Sequence, residues 1–79
     1  MLSGLQIRAA RALLRWPAQK LAEGANVAVT TVRRFELADG IPSGNVRTIN
    51  AIKSTLEEAG IEFIGTPDDG PGVRLRPKP

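Results

Sequence analysis

Residues 17–37 read PAQKLAEGANVAVTTVRRFEL, and the fold turns on how this stretch is read. A short apolar-periodic segment, with Ala18, Leu21 and Ala22, runs into a break at Gly24-Ala25-Asn26. A second segment follows at once, with Val27, Val32 and Phe35 as its apolar side. Pro17 suits a helix start, because its fixed φ fits the first turn and its missing N–H is not needed there. Helix 2 is expected over about residues 18–23, and helix 3 from Ala28 or Val29 onward. Gly24 and Asn26 are the candidates for a turn residue with φ > 0. Ala28 offers no side-chain acceptor, so the start of helix 3 lacks a cap. Two short helices joined by such a turn make a helix-turn-helix.

The two sides of helix 3 differ in kind. At 100° per residue, Val32 and Phe35 fall within about 60° of each other. Val29, Thr30, Arg33, Arg34 and Leu37 spread over about 140° of the other side. Glu36 sits between the two. A merely solvated helix mixes Glu and Lys on its outer face. This face instead carries positive charge, a hydroxyl and apolar groups able to touch a thymine methyl, the set that reading base edges in the major groove requires.

Length and composition agree with one small domain. Seventy-nine residues allow a single core, and a core this small is marginal without economical helix packing or a partner chain. The chain has no cysteine and no histidine. That removes disulfides, a Cys-ligated zinc site, and the commonest general base and metal ligand. No enzymatic activity, metal or cofactor is expected. The net charge of +3 fits a nucleic-acid partner. No apolar run approaches the ~20 residues of a membrane span. A cytoplasmic protein associated with the nucleoid is the expectation.

The rest of the chain is arranged around the helical pair. Ser3 caps a first helix over about residues 4–15, with Ile7, Ala10, Arg11 and Leu14 on one face. Leu2, Leu5, Ala9 and Leu13 form a second, nearly opposite apolar stripe, which something else must cover. Trp16 fills the corner into helix 2 as a core residue. Residues 38–45 are a loop of Gly, Pro, Asp, Ser and Asn. Asn45 caps a fourth helix over about residues 46–59, which ends at Gly60 and shows the stripe Val46, Ile49, Ile52, Leu56 and Ala59. The amides of Ser43 to Val46 form a helix N-terminus suited to a DNA phosphate, and Arg47 adds charge there.

Two β-type runs close the chain, residues 61–64 and 73–76, around a loop at residues 65–72. They are expected to form a hairpin with Ile61, Phe63, Val73 and Leu75 inward and Glu62 opposite Arg74 or Arg76 outside. A lone two-stranded ribbon is marginal. It must pack on helices 1 and 4, pair with a second subunit, or both. The domain plan is therefore 1–60 helix-turn-helix, 61–76 hairpin and dimer element, and 77–79 a frayed tail.

The pattern I-x-x-A-R-x-L-L-x-W-x-x-x-x-L-A-x-x-A-x-V-x-x-x-T-V-x-R-x-E, from Ile7 to Glu36, resembles the XRE or lambda-repressor-like helix-turn-helix family. The resemblance implies a mainly α fold of four helices, here followed by the hairpin. It implies an ion pair between Arg11 and Glu36. It places base reading on Val29, Thr30 and Arg34, with Arg33 alongside as a second reader or a phosphate clamp. Arg34 would address a guanine edge, Thr30 a base or phosphate, and Val29 a thymine methyl. The candidate phosphate contacts are Gln19, Thr31, Ser43, Gly44, Asn45 and Arg47. Two positions depart from the family: Ala18 replaces a phosphate-bracing Gln, and Ala28 replaces the usual Ser or Thr cap.

The expected partners are double-stranded DNA and a second copy of the chain. A two-fold dimer sets two recognition helices ~34 Å apart, one DNA turn. The alternative is a protein-binding helix-turn-helix, an antiactivator or antitoxin, using Val29, Leu37, Ile41 and the hairpin as an apolar patch. The remaining acid pairs suggest no site. Glu57 and Glu58 are helix neighbours that point apart, and Asp68-Asp69 reads as turn chemistry.

Overall fold

The chain begins with a reciprocal cap. The Ser3 hydroxyl accepts the Gln6 N–H at 3.1 Å, and the Gln6 side-chain oxygen accepts the Ser3 N–H at 2.8 Å. Two amides that a helix start leaves without partners are thereby satisfied. The computed structural model describes residues 2–76. It shows α1 (Gly4–Leu14), α2 (Ala18–Ala25), α3 (Val29–Glu36) and α4 (Val46–Glu58), then β1 (Ile61–Thr66) and β2 (Asp69–Leu75). The expected tail at 77–79 lies outside the described residues.

Helix ends follow local chemistry, with adjustments. Arg15, rather than extending α1, turns left-handed at φ 57° and donates its N–H back to α1 carbonyls. Helix α2 runs two residues further than expected, and Asn26 takes the positive φ of 56°. Gly24 stays helical, and its bare Cα faces α4: a Cβ there would come within 2.7 Å of Thr55 Cγ2. Ala28 caps α3 with no side-chain bond, as its methyl dictates. Asn45 caps α4 by accepting the Arg47 N–H at 2.8 Å.

The core joins all the elements. Ile7, Leu21, Val32, Phe35, Ile52 and Leu56 are fully buried at its centre. Helix α2 packs on both α3 and α4, and α1 reaches α3. The stripe expected on α4 holds at Ile49, Ile52 and Leu56, but Val46 is 59% exposed. As the first helical residue, Val46 stands a turn ahead of the core. Trp16 is half-buried against the cluster, with Lys20 Nζ 5.2 Å from its ring centre.

The hairpin departs most from expectation. Its strands are longer and its turn shorter: Pro67 and Asp68 alone connect β1 to β2. Cross-strand partners are Ile61 with Leu75, Glu62 with Arg74, Phe63 with Val73 and Ile64 with Gly72, and an irregularity at Gly65 shifts the register. The ribbon lies on the helices, β2 against α1 and β1 against α4. Ile61 is buried, and Phe63 and Val73 pack on the core cluster. The Gln6 amide nitrogen donates to Ile64 O at 3.1 Å and to Gly72 O at 3.0 Å. One buried side chain thus closes the α1 cap and fastens the ribbon. The hairpin does not cover the whole second stripe of α1: Leu2 is buried, but Leu5 and Leu13 stay open. Among the described residues, no helix is long and apolar enough to cross a membrane.

Candidate nucleic-acid interface

Helix α3 is held by its apolar side and by one ion pair. Val32 and Phe35 are buried. Arg11 Nε lies 2.7 Å from Glu36 Oε2, and a second guanidinium nitrogen lies 2.9 Å from Oε1. A third contact runs from Arg11 to the Trp16 carbonyl at 2.9 Å. The fork-to-fork geometry is the strong form of this pair. The hydrogen bond to Glu36 raises the Arg11 pKa above its ordinary value against the opposing effect of burial. The expected link between Arg11 and Glu36 is present, and it ties α1 to the end of α3.

The opposite side is narrower than the sequence suggests. Glu36 is buried, and Val29 is half-buried against the core. The anchored side of α3 therefore extends from Phe35 through Val32 and Glu36 to Val29. Val29, expected on the open face, sits at its margin. Thr30, Arg33, Arg34 and Leu37 remain exposed, over an arc of about 100°. Thr31 is half-buried on the far margin. Among the described residues, neither Arg33 nor Arg34 has a carboxylate partner. The Arg34 guanidinium rests 5.4 Å from the centre of the Phe35 ring.

The loop into α4 comes to the same place. Arg34, Phe35, Leu37 and Ala38 face Pro42 and Ser43 across an open cleft of about 370 Å³. Gly44 backs onto the Phe35 ring. Ser43, Gly44, Asn45 and Arg47 are all exposed. Ser43 shares the cleft with Arg34 and Leu37, so the loop that leads into α4 borders the open arc of α3. The cleft itself was not legible in the sequence; the available signal was Pro42, which is buried and turns the loop back onto Phe35. Gln19 is exposed at the start of α2, but its amide already donates to Glu23 at 3.2 Å. An acid beside it weakens its fitness for a phosphate.

The four residues expected at a subunit contact are placed unequally. Ile61 is inside the chain's own core, and Phe63 and Val73 are half-buried. Their inward faces are used within the chain, and only Leu75, 41% exposed, stands open. Among the described residues, no cluster of three His, Cys, Asp or Glu side chains is able to hold a metal ion. In comparisons with known proteins, no family model matches the chain and no curated protein matches it.

Proposed function

We propose that this chain is a sequence-specific regulator that binds double-stranded DNA as a homodimer, with α2 and α3 as a lambda-repressor-like helix-turn-helix. The observation that carries the reading is the two-sidedness of α3. Its apolar side is locked by Val32, Phe35 and the Arg11–Glu36 pair, while Thr30, Arg33 and Arg34 face outward without acids. A rigidly seated helix with unpaired guanidiniums is suited to the major groove. Arg34 addresses a guanine, Thr30 a base or a phosphate, and Val29 reaches a methyl only from the margin. Arg33 clamps a phosphate, and Ser43 to Arg47 receive another at the α4 N-terminus. Association with the nucleoid follows from this role.

A fluorescence-anisotropy titration with a mixed-sequence duplex tests it. Affinity should fall steeply with salt, with a log–log slope of about −0.9 per phosphate neutralised. A second reading, docking of a protein partner, is favoured by Leu37, which is 81% exposed at the rim of the apolar cleft. A flat salt response would favour that contact over DNA.

A further inference from the structure

The hairpin leaves one edge unused. Arg76 N–H donates to Gly60 O at 2.8 Å, and Ile61 stands opposite Leu75. Bonded and non-bonded pairs alternate along an antiparallel ladder. Arg74 and Arg76 therefore aim their backbone groups at β1, and Val73 and Leu75 aim theirs outward. Among the described residues, no backbone group meets these outward positions. Pro71 lies where the register shifts, and its missing N–H leaves no free donor at that end of the strand. The open edge is short and begins after Pro71.

A second uncovered feature lies on α1. Helix α1 lies against β2 and α4 against β1, so α1 is the helix nearer the open edge. There Leu5 is 40% exposed and Leu13 is 44% exposed, with exposed Ala9 midway between them. At 100° per residue these three share an arc of about 80°. The spacing is symmetric about a small residue. Two antiparallel copies with Ala9 at the axis bring each Leu5 to the Leu13 of the other copy, the self-complementarity that a two-fold contact requires.

We propose that β2 pairs antiparallel with β2 of a second copy, joining two hairpins into one four-stranded sheet with the two α1 stripes meeting beside it. This rests on the homodimer reading and assigns its surface. The outward groups of Val73 and Leu75 gain partners in both copies. The cations nearest the axis bring their own counter-charge, because Glu62 accepts from Arg76 and lies 3.7 Å from Arg74. Each feature alone is small, and together they place an apolar helix contact beside a hydrogen-bonded edge.

The test is sedimentation equilibrium of the full chain without DNA, from about 1 µM to 1 mM. The expected result is a concentration-dependent rise from one chain to two. Leu75→Pro removes an outward donor that β1 does not use, so it should raise the dimer dissociation constant about tenfold or more while the helical circular dichroism is unchanged. Leu13→Glu, on the exposed stripe of α1, should do the same without touching the hairpin. Arg34→Ala should leave self-association unaltered. A chain that stays single throughout overturns the proposal, as does a folded Leu75→Pro variant that dimerises like the parent. Should Leu75→Pro unfold, Leu13→Glu decides alone, and unchanged dimerisation overturns the proposal. No DNA is present, so a negative result leaves the DNA-binding reading to its own salt titration.

Discussion

Replacing Arg11 with Met keeps an unbranched apolar stem and removes the guanidinium fork. Three contacts disappear: two to Glu36 and one to the Trp16 carbonyl. The Glu36 side chain is 8% exposed and would be left without its partner, whereas the Arg11 side chain is 24% exposed. Removing one member of a buried pair costs ~3–5 kcal/mol. With about a quarter of Arg11 already in water, about 2–4 kcal/mol is expected. A domain of 79 residues holds roughly 4–12 kcal/mol in all. Arg11→Met should therefore lower Tm by roughly 10–25 °C. Thermal unfolding followed by circular dichroism and by fluorescence of Trp16, the single tryptophan, reads this directly. The second substitution, Glu36→Gln, removes the stranded charge, so the double variant should recover at least about half of the loss. Destabilisation below about 0.5 kcal/mol, or a double variant no better than the single, would refute the claim that this pair seats α3.

Other outcomes follow from particular contacts. Arg34→Ala should cost ~1–3 kcal/mol of DNA affinity and relax preference at one base pair, measured by titration against a panel of single-base variants; equal affinity across the panel with no loss removes the assignment. Gln6→Leu leaves the Ser3 N–H without its partner and removes both donors from the ribbon carbonyls. A loss of about 1–3 kcal/mol is expected, with hydrogen-exchange protection falling first in β1 and β2, and uniform loss across the chain would count against the fastening role. Glu62 has its carboxyl held below the ordinary range by Arg76, with Arg74 adding to the effect. A depressed acid contributes stability above its ordinary pKa and loses it as pH falls through the lower folded-state value. Stability should therefore decline on acidification below the ordinary carboxylate range, and Glu62→Gln should flatten that limb; identical acid limbs in parent and variant would exclude the contribution.

Much of the helical part was legible because local and long-range signals agree there. The period of Val32 and Phe35, the cap at Asn45 and the stop at Gly60 each act within a few residues. The Arg11–Glu36 link was legible only through the family pattern, since the two lie 25 residues apart. Helical angle alone sets Val29 on the open face, but it does not state how wide the neighbouring elements are, and Val29 is half-buried against them. Gln6 illustrates a different loss. Its capping role is local, but the carbonyls it fastens lie 58 and 66 residues away. The eight residues between the β-type runs read as a loop, yet the strands continue through their glycines and leave Pro67-Asp68 as the turn. Nothing in periodicity distinguished a hairpin folded onto its own helices from one reserved for a second copy.

The DNA-binding reading requires α3 to present its cationic side to the bases of a duplex. Selection of bound sequences from a random DNA pool by the purified chain addresses it most directly. Enrichment of an inverted repeat with half-site centres about 10 base pairs apart is expected, lost when Arg34 is replaced by Ala. A pool that returns with no enriched sequence, or one enriched identically by Arg34→Ala, would contradict it.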